Sequence, residues 1–244
     1  MAEDTGAQGA HGVRPLARER TVRTDELRDH LWAIFDLKTS GLLQNPESAR
    51  HDYYSVFAGK QPAEEFWIKH LVKKNPSTAT MEMLQSLMES QRFSQLMFTS
   101  CGWFFSDISG IETVQIIKYA NIAIRFAKPY TNLDLETVFI KKLGEAHSNI
   151  GTNYDGDIIY NKWIKPHELG ENNAVNQYLI EGALFQAFNE RTLFLYDLNP
   201  RDVVHFETSK GQCWLTSIDT HHQPTGRRGT YVGLLIRQDD DFQT

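Results

Sequence analysis

Residues 173–197 read NAVNQYLIEGALFQAFNERTLFLYD, and the fold is decided inside them. Up to Phe188 the apolar residues Val175, Tyr178, Leu179, Ala183, Leu184 and Phe188 recur at helical spacing. From Arg191 onward the period drops toward 2, and Val, Thr, Tyr, Phe, Leu and Ile dominate, as in strands. The spacing predicts strands over 191–197, 202–207, 211–219 and 229–237. Upstream of the switch, from about residue 25, the chain reads as mostly helical. The expectation is therefore an α+β fold, a mostly helical body followed by a small antiparallel β-sheet.

Working back from the switch, residues 148–172 are loop-rich, with a short helical piece around Ile158–Trp163. Thr131 opens a helix through Leu135, Val138, Phe139 and Leu143. Before it, Val114, Ile117, Ala120, Ile124 and Ala127 make one apolar face that stops at Pro129. Ser109 and Glu112 stand as an S-x-x-E capping box at the start of that face. The longest helix opens at Ser77 or Thr78 and carries Met81, Leu84, Leu87, Met88 and Phe98. Gln91 and Gln95 interrupt its apolar stripe. Asn45-Pro46 and Gln61-Pro62 each start a helix with proline at the first helical position, where its missing N–H does no harm. Thr24 reads as an N-cap ahead of Leu27, Leu31, Ile34 and Phe35. Residues 1–23, rich in Gly, Ala and Arg, show no period and read as a disordered arm. The expected organisation is an arm at 1–23, a helical domain at 24–188, and a β region at 189–244 packed on it.

A length of 244 residues that are 41% hydrophobic supports a sizeable core. The net charge of −6, with no basic stripe, argues against a nucleic-acid partner. No run of about 18 apolar residues occurs, so no membrane span is expected. The N-terminus lacks the apolar core of a secretory signal. Cys101 and Cys213 lie far apart without metal-ligand spacing, which suits buried, reduced thiols in a cytoplasmic protein. Neither a metal nor a cofactor is expected.

The functional motifs are sparse. The chain has no G-x-S-x-G, no G-x-x-x-x-G-K and no G-x-G-x-x-G. His167-Glu168-Leu169-Gly170-Glu171 puts Glu171 where a zinc-protease helix needs its second histidine. His221-His222-Gln223-Pro224 precedes Thr225-Gly226-Arg227-Arg228-Gly229, which is hairpin-loop chemistry. Carboxylates are plentiful, but Asp107 reads as the cap of a turn and Asp155-Gly156-Asp157 as a loop former. The most informative block is Thr99-Ser100-Cys101-Gly102-Trp103-Phe104-Phe105. Three consecutive aromatics in so short a connection cannot all enter one core, so at least one is expected to face a cleft or a contact surface.

That block, with Asp107-Ile108-Ser109-Gly110-Ile111-Glu112-Thr113-Val114-Gln115, carries a family resemblance. Ser148-Asn149-Ile150, Asp155-Gly156, Ile159-Tyr160 and Lys165-Pro166 support it. Together they resemble the domain of unknown function that follows the catalytic barrel in bacterial proteins of the glycoside hydrolase family 57 type. The resemblance spans about residues 25–240. In that family the catalytic carboxylates sit on the upstream barrel, and no βα alternation occurs before the helices of this chain. The resemblance thus implies an accessory part that helps to form a carbohydrate cleft and has no barrel of its own. A family 57-type barrel and a glycan would be its partners. Trp103 would stack on a sugar, and Asp107 or Glu112 would hydrogen-bond its hydroxyls. No catalytic residue is assigned. The competing readings are a structural or protein-interaction module, whose aromatic block is only a helix corner, and an independent enzyme.

Overall fold

The computed structural model describes residues 9–100, 107–151, 154–208, 211–238 and 241–243. Trp103 and Cys101, with Gly102, Phe104 and Phe105 of the aromatic block, lie outside the described residues. Among the described residues, eight α-helices precede a C-terminal antiparallel sheet, the α+β order expected from the change of period. The chain divides into two compact units, residues 1–167 and 168–244.

The first unit holds helices α1 (Gly9–Thr39), α2 (Pro46–Phe57), α3 (Ala63–His70), α4 (Thr78–Leu96), α5 (Ile111–Ala127), α6 (Leu135–Leu143) and α7 (Gly156–Ile159). Helix α1 begins well before Thr24, through residues for which no period is expected. Leu16, Ala17, Arg18, Glu19 and Arg20 are strong helix formers without an apolar stripe, so propensity rather than periodicity marks the segment. Asn45 caps α2 by accepting the Ser48 N–H at 2.9 Å, and Pro46 takes the first helical position. Ser77 caps α4 through the Thr80 N–H. Pro62 sits one residue earlier than expected, at the N-cap of α3. Asp134, rather than Thr131, caps α6 through the Thr137 N–H.

Helices α4 and α5 form the antiparallel centre of this unit. Ser86 Oγ donates to the Phe126 carbonyl and Ser90 Oγ to the Ala123 carbonyl, each at 2.9 Å. Small residues on both faces, Ser90 and Ser94 against Ala120, Ala123 and Ala127, let the backbones approach. All five are fully buried. Leu27, Leu31, Ile34 and Phe35 of α1 complete the core with Leu84, Leu87 and Met88. The glutamine break in the α4 stripe is resolved at Gln91, whose buried amide donates to the Leu31 carbonyl at 3.0 Å.

The second unit holds α8 (Glu171–Phe185) and strands β1 (Arg191–Leu193), β2 (Tyr196–Thr208), β3 (Gly211–His222), β4 (Arg228–Gln238) and β5 (Asp241–Gln243). They pair in sequential order, antiparallel throughout. Helix α8 belongs with this sheet, although the sequence reading places it in the helical body ending at 188. Its apolar face, Ala174, Val175, Tyr178 and Leu179, packs on Tyr196, Leu198, Trp214, Ile218 and Leu235. Periodicity identifies a helix's buried face but not the element that covers it. A Cβ on Gly233 would lie 2.6 Å from Leu179 Cδ1, so that glycine lets the helix sit close to β4.

The expected strand 191–197 is broken in two. Phe194 and Leu195 have φ of 51° and 71° and join Leu193 to Tyr196 in a two-residue hairpin. Two positive φ values are what a type I′ turn requires, and its usual residues are Asn-Gly. Here bulky residues occupy it, so no turn signal marks the break. The expected hairpin loop is present: residues 223–227 connect β3 to β4. On the sheet face away from α8, Val204, Leu215 and Leu234 are directly paired across three strands, and all three are exposed.

Candidate functional site

After α4 ends, the described chain resumes at Asp107, whose carboxylate organises two loops. Asp107 Oδ1 accepts the Ser109 N–H at 2.8 Å and the Ser109 hydroxyl at 2.5 Å. This closes a turn two residues long, the local bond that aspartate favours. The same carboxylate reaches a loop 41 residues away. Ser148 Oγ donates to Asp107 at 2.9 Å, and the Asn149 N–H donates to Oδ2 at 2.6 Å. A carboxylate accepts about four hydrogen bonds, so these donors engage it fully. Burial alone would raise the Asp107 pKa. The bonds from Ser109, Asn149 and Ser148 outweigh it and hold the carboxyl below its ordinary value.

A second carboxylate continues the clasp. Asp155 Oδ1 accepts the Ser148 N–H at 2.9 Å, and Oδ2 lies 3.1 Å from His147 Nδ1. The Ser148 amide, then the His147 ring, hold the Asp155 carboxyl below its usual range. Ser148 thus bridges the two acids, with its hydroxyl on Asp107 and its amide on Asp155. The loop is anchored behind Asp155 by the Gly156 N–H, which donates to the Ala146 carbonyl at 3.1 Å. A Cβ on Gly156 would collide with the Leu143 carbonyl oxygen, so only glycine fits there.

The capping box expected from Ser109 and Glu112 does not form. Helix α5 starts at Ile111, Gly110 is its N-cap residue, and no side chain caps it. The physical reason is register: with Gly110 at the N-cap, Ser109 stands one residue too early to cap the helix, held there by the N–H and O–H that it donates to Asp107. Glu112 is left on the first turn of α5, partly exposed and without an ion pair or hydrogen bond among the described residues. Asp107 therefore holds two loops together through hydrogen bonds to Ser109, Ser148 and Asn149. The expected Asp107 turn cap is present. His147, whose side chain is 73% exposed, carries no motif and was invisible in the sequence; only its contact with Asp155 reveals it.

Elsewhere the expected alternatives are structural. His221 and His222 end β3: His221 Nδ1 lies 3.0 Å from Asp197 Oδ2, and His222 Nδ1 lies 2.7 Å from Thr225 Oγ1. Glu171, from the failed metal motif, accepts from Arg227 Nη2 at 2.6 Å and from Thr220 Oγ1. Cys213 is a free, buried thiol. Among the described residues no three His, Cys, Asp or Glu side chains converge as metal ligands, and no helix is long and apolar enough to cross a membrane.

No curated protein and no solved structure matches the chain. One family matches nearly its whole length, residues 21–242, and is described as a domain of unknown function (DUF3536). By that match, which takes in both halves of the Asp107 clasp and the sheet that follows, the chain belongs to the DUF3536 family.

Proposed function

We propose that the chain is the accessory part of a glycoside hydrolase family 57-like protein and helps to form a carbohydrate cleft beside a barrel supplied by another segment. One observation carries the reading. The two sequence blocks that carry the resemblance, Trp103–Gln115 and Ser148–Gly156, are joined through Asp107, which bonds Ser148 and Asn149 directly. The clasp ties the segment that follows the aromatic block to the polar loop at Ser148 and Asn149. In this reading Trp103 stacks on the sugar face, Glu112 accepts from sugar hydroxyls, and Asp107 holds the turn between them.

The test is a glycan panel screened with the full chain, alone and with a family 57-type barrel. Retention of an α-glucan or mannan that falls by about 1–3 kcal/mol in Trp103→Ala, with unchanged thermal melting, supports the reading. Absence of retention in both settings, or retention indifferent to Trp103→Ala and Glu112→Gln, overturns it.

The alternative, a protein-interaction module, is favoured by the exposed row Val204–Leu215–Leu234 on the open face of the sheet. Apolar side chains aligned across three strands are a common contact surface. A chain that binds no glycan but whose self-association or partner capture is lost in Leu215→Ser/Leu234→Ser fits that reading.

A further inference from the structure

Among the described residues, two donor-only nitrogens in the helical unit have no acceptor. Trp32 on α1 and Arg50 on α2 stack, with Arg50 Cζ 4.4 Å from the indole centroid. Trp32 Nε1 and Arg50 Nη1 are both buried atoms without a hydrogen-bond partner. Neither an indole nor a guanidinium accepts a hydrogen bond, so the two cannot satisfy each other. Buried polar groups in native proteins are almost always paired, and two adjacent exceptions of the same polarity call for one shared explanation.

The surrounding charges sharpen the point. A second guanidinium, that of Arg28, lies 4.8 Å from the Trp32 centroid and 5.3 Å from that of Phe98. Arg28 is already neutralised, by Asp25 at 2.6 Å and Asp29 at 2.8 Å. Arg50 has no ion pair among the described residues, although Asp36 and Glu47 stand on the same two helices. It is held on an aromatic platform, only partly buried, with its charge uncompensated.

We infer that Trp32 and Arg50 form a binding site for an oxyanion, a phosphate or carboxylate group whose oxygens accept from the guanidinium and the indole N–H. The planar guanidinium fork matches oxyanion geometry, and stacking on Trp32 fixes its plane in advance. Trp32 and Arg50 are each only partly buried, so an anion can approach the pair from solvent. The anion is either free in solution or a group on a larger molecule.

The site is tested on the full chain with its indole nitrogens labelled. Five tryptophans give five indole N–H resonances, and Trp32→Phe identifies the one in question. Inorganic phosphate, acetate and a hexose monophosphate are titrated at constant ionic strength with chloride. We expect a saturable shift of the Trp32 resonance by at least one of them, abolished in Arg50→Met and weakened at least tenfold in Arg50→Lys. The lysine variant keeps the charge without the fork and serves also if the methionine variant does not fold. Saturation by the hexose monophosphate at tenfold lower concentration than by phosphate marks an attached group, and equal saturation marks the free ion. A Trp32 resonance that ignores all three up to tens of millimolar, as it would if an ordered water filled the place, overturns the inference. So does an undiminished shift in Arg50→Met.

Discussion

Asp107 binds the backbone of Asn149: its Oδ2 accepts the Asn149 N–H at 2.6 Å from 42 residues away along the chain. The bond is short because the acceptor is ionised, and it fixes two loops that no helix or strand joins. Asp107→Asn removes the charge and turns one acceptor into a donor facing other donors. We expect a loss of about 2–3 kcal/mol in urea unfolding, with the helical circular dichroism retained. A loss under about 0.5 kcal/mol, typical of an ordinary surface site, would show that the clasp holds little.

The same pair sets a pH dependence. Asp107 and Asp155 have folded pKa values below their unfolded ones. The stability they contribute is complete above the unfolded value of about 3.9 and is lost as pH falls through the lower folded values. The gap in stability between the wild type and Asp107→Asn should be constant near neutrality and close below about pH 4. Parallel curves down to the acid transition would place the effect elsewhere.

Gly156→Ala should destabilise by about 2–3 kcal/mol. The added Cβ meets the Leu143 carbonyl oxygen, a backbone atom at the end of α6 that cannot swing aside. The alanine's better helix propensity, about 1 kcal/mol, is too small to offset the clash. A melting temperature equal to that of the wild type would refute this.

The hairpin at Phe194-Leu195 should respond in the opposite direction. Both residues have positive φ, and both side chains are exposed. Phe194→Asn with Leu195→Gly supplies the residues that tolerate this backbone and should raise stability by about 1–3 kcal/mol. A denaturation midpoint that stays put or falls would mean that the two side chains make contacts that outweigh the strain.

The sequence by itself determined the class and order of the elements. One change of period near Arg191 separates helix from sheet, because a side chain's burial repeats every 3.6 residues in one and every 2 in the other. It also marked the starts at Asn45 and Ser77, because an N-cap is a local bond between residues three apart. What tertiary structure decided is everything that depends on a distant partner. Asp107 reads locally as a turn cap, and only folding brings it to Ser148 and Asn149. Ser109 carries a capping-box signature, but its bonds to Asp107 hold it one residue before the N-cap. Helix α8 shows its apolar face in the sequence, while the sheet that covers that face is set by the chain's return. Phe194 and Leu195 look like strand residues, and they are forced into a turn because β1 and β2 pair on either side of them. Trp32 and Arg50 stand on different helices with no motif between them, and packing alone puts the two unpaired donors together.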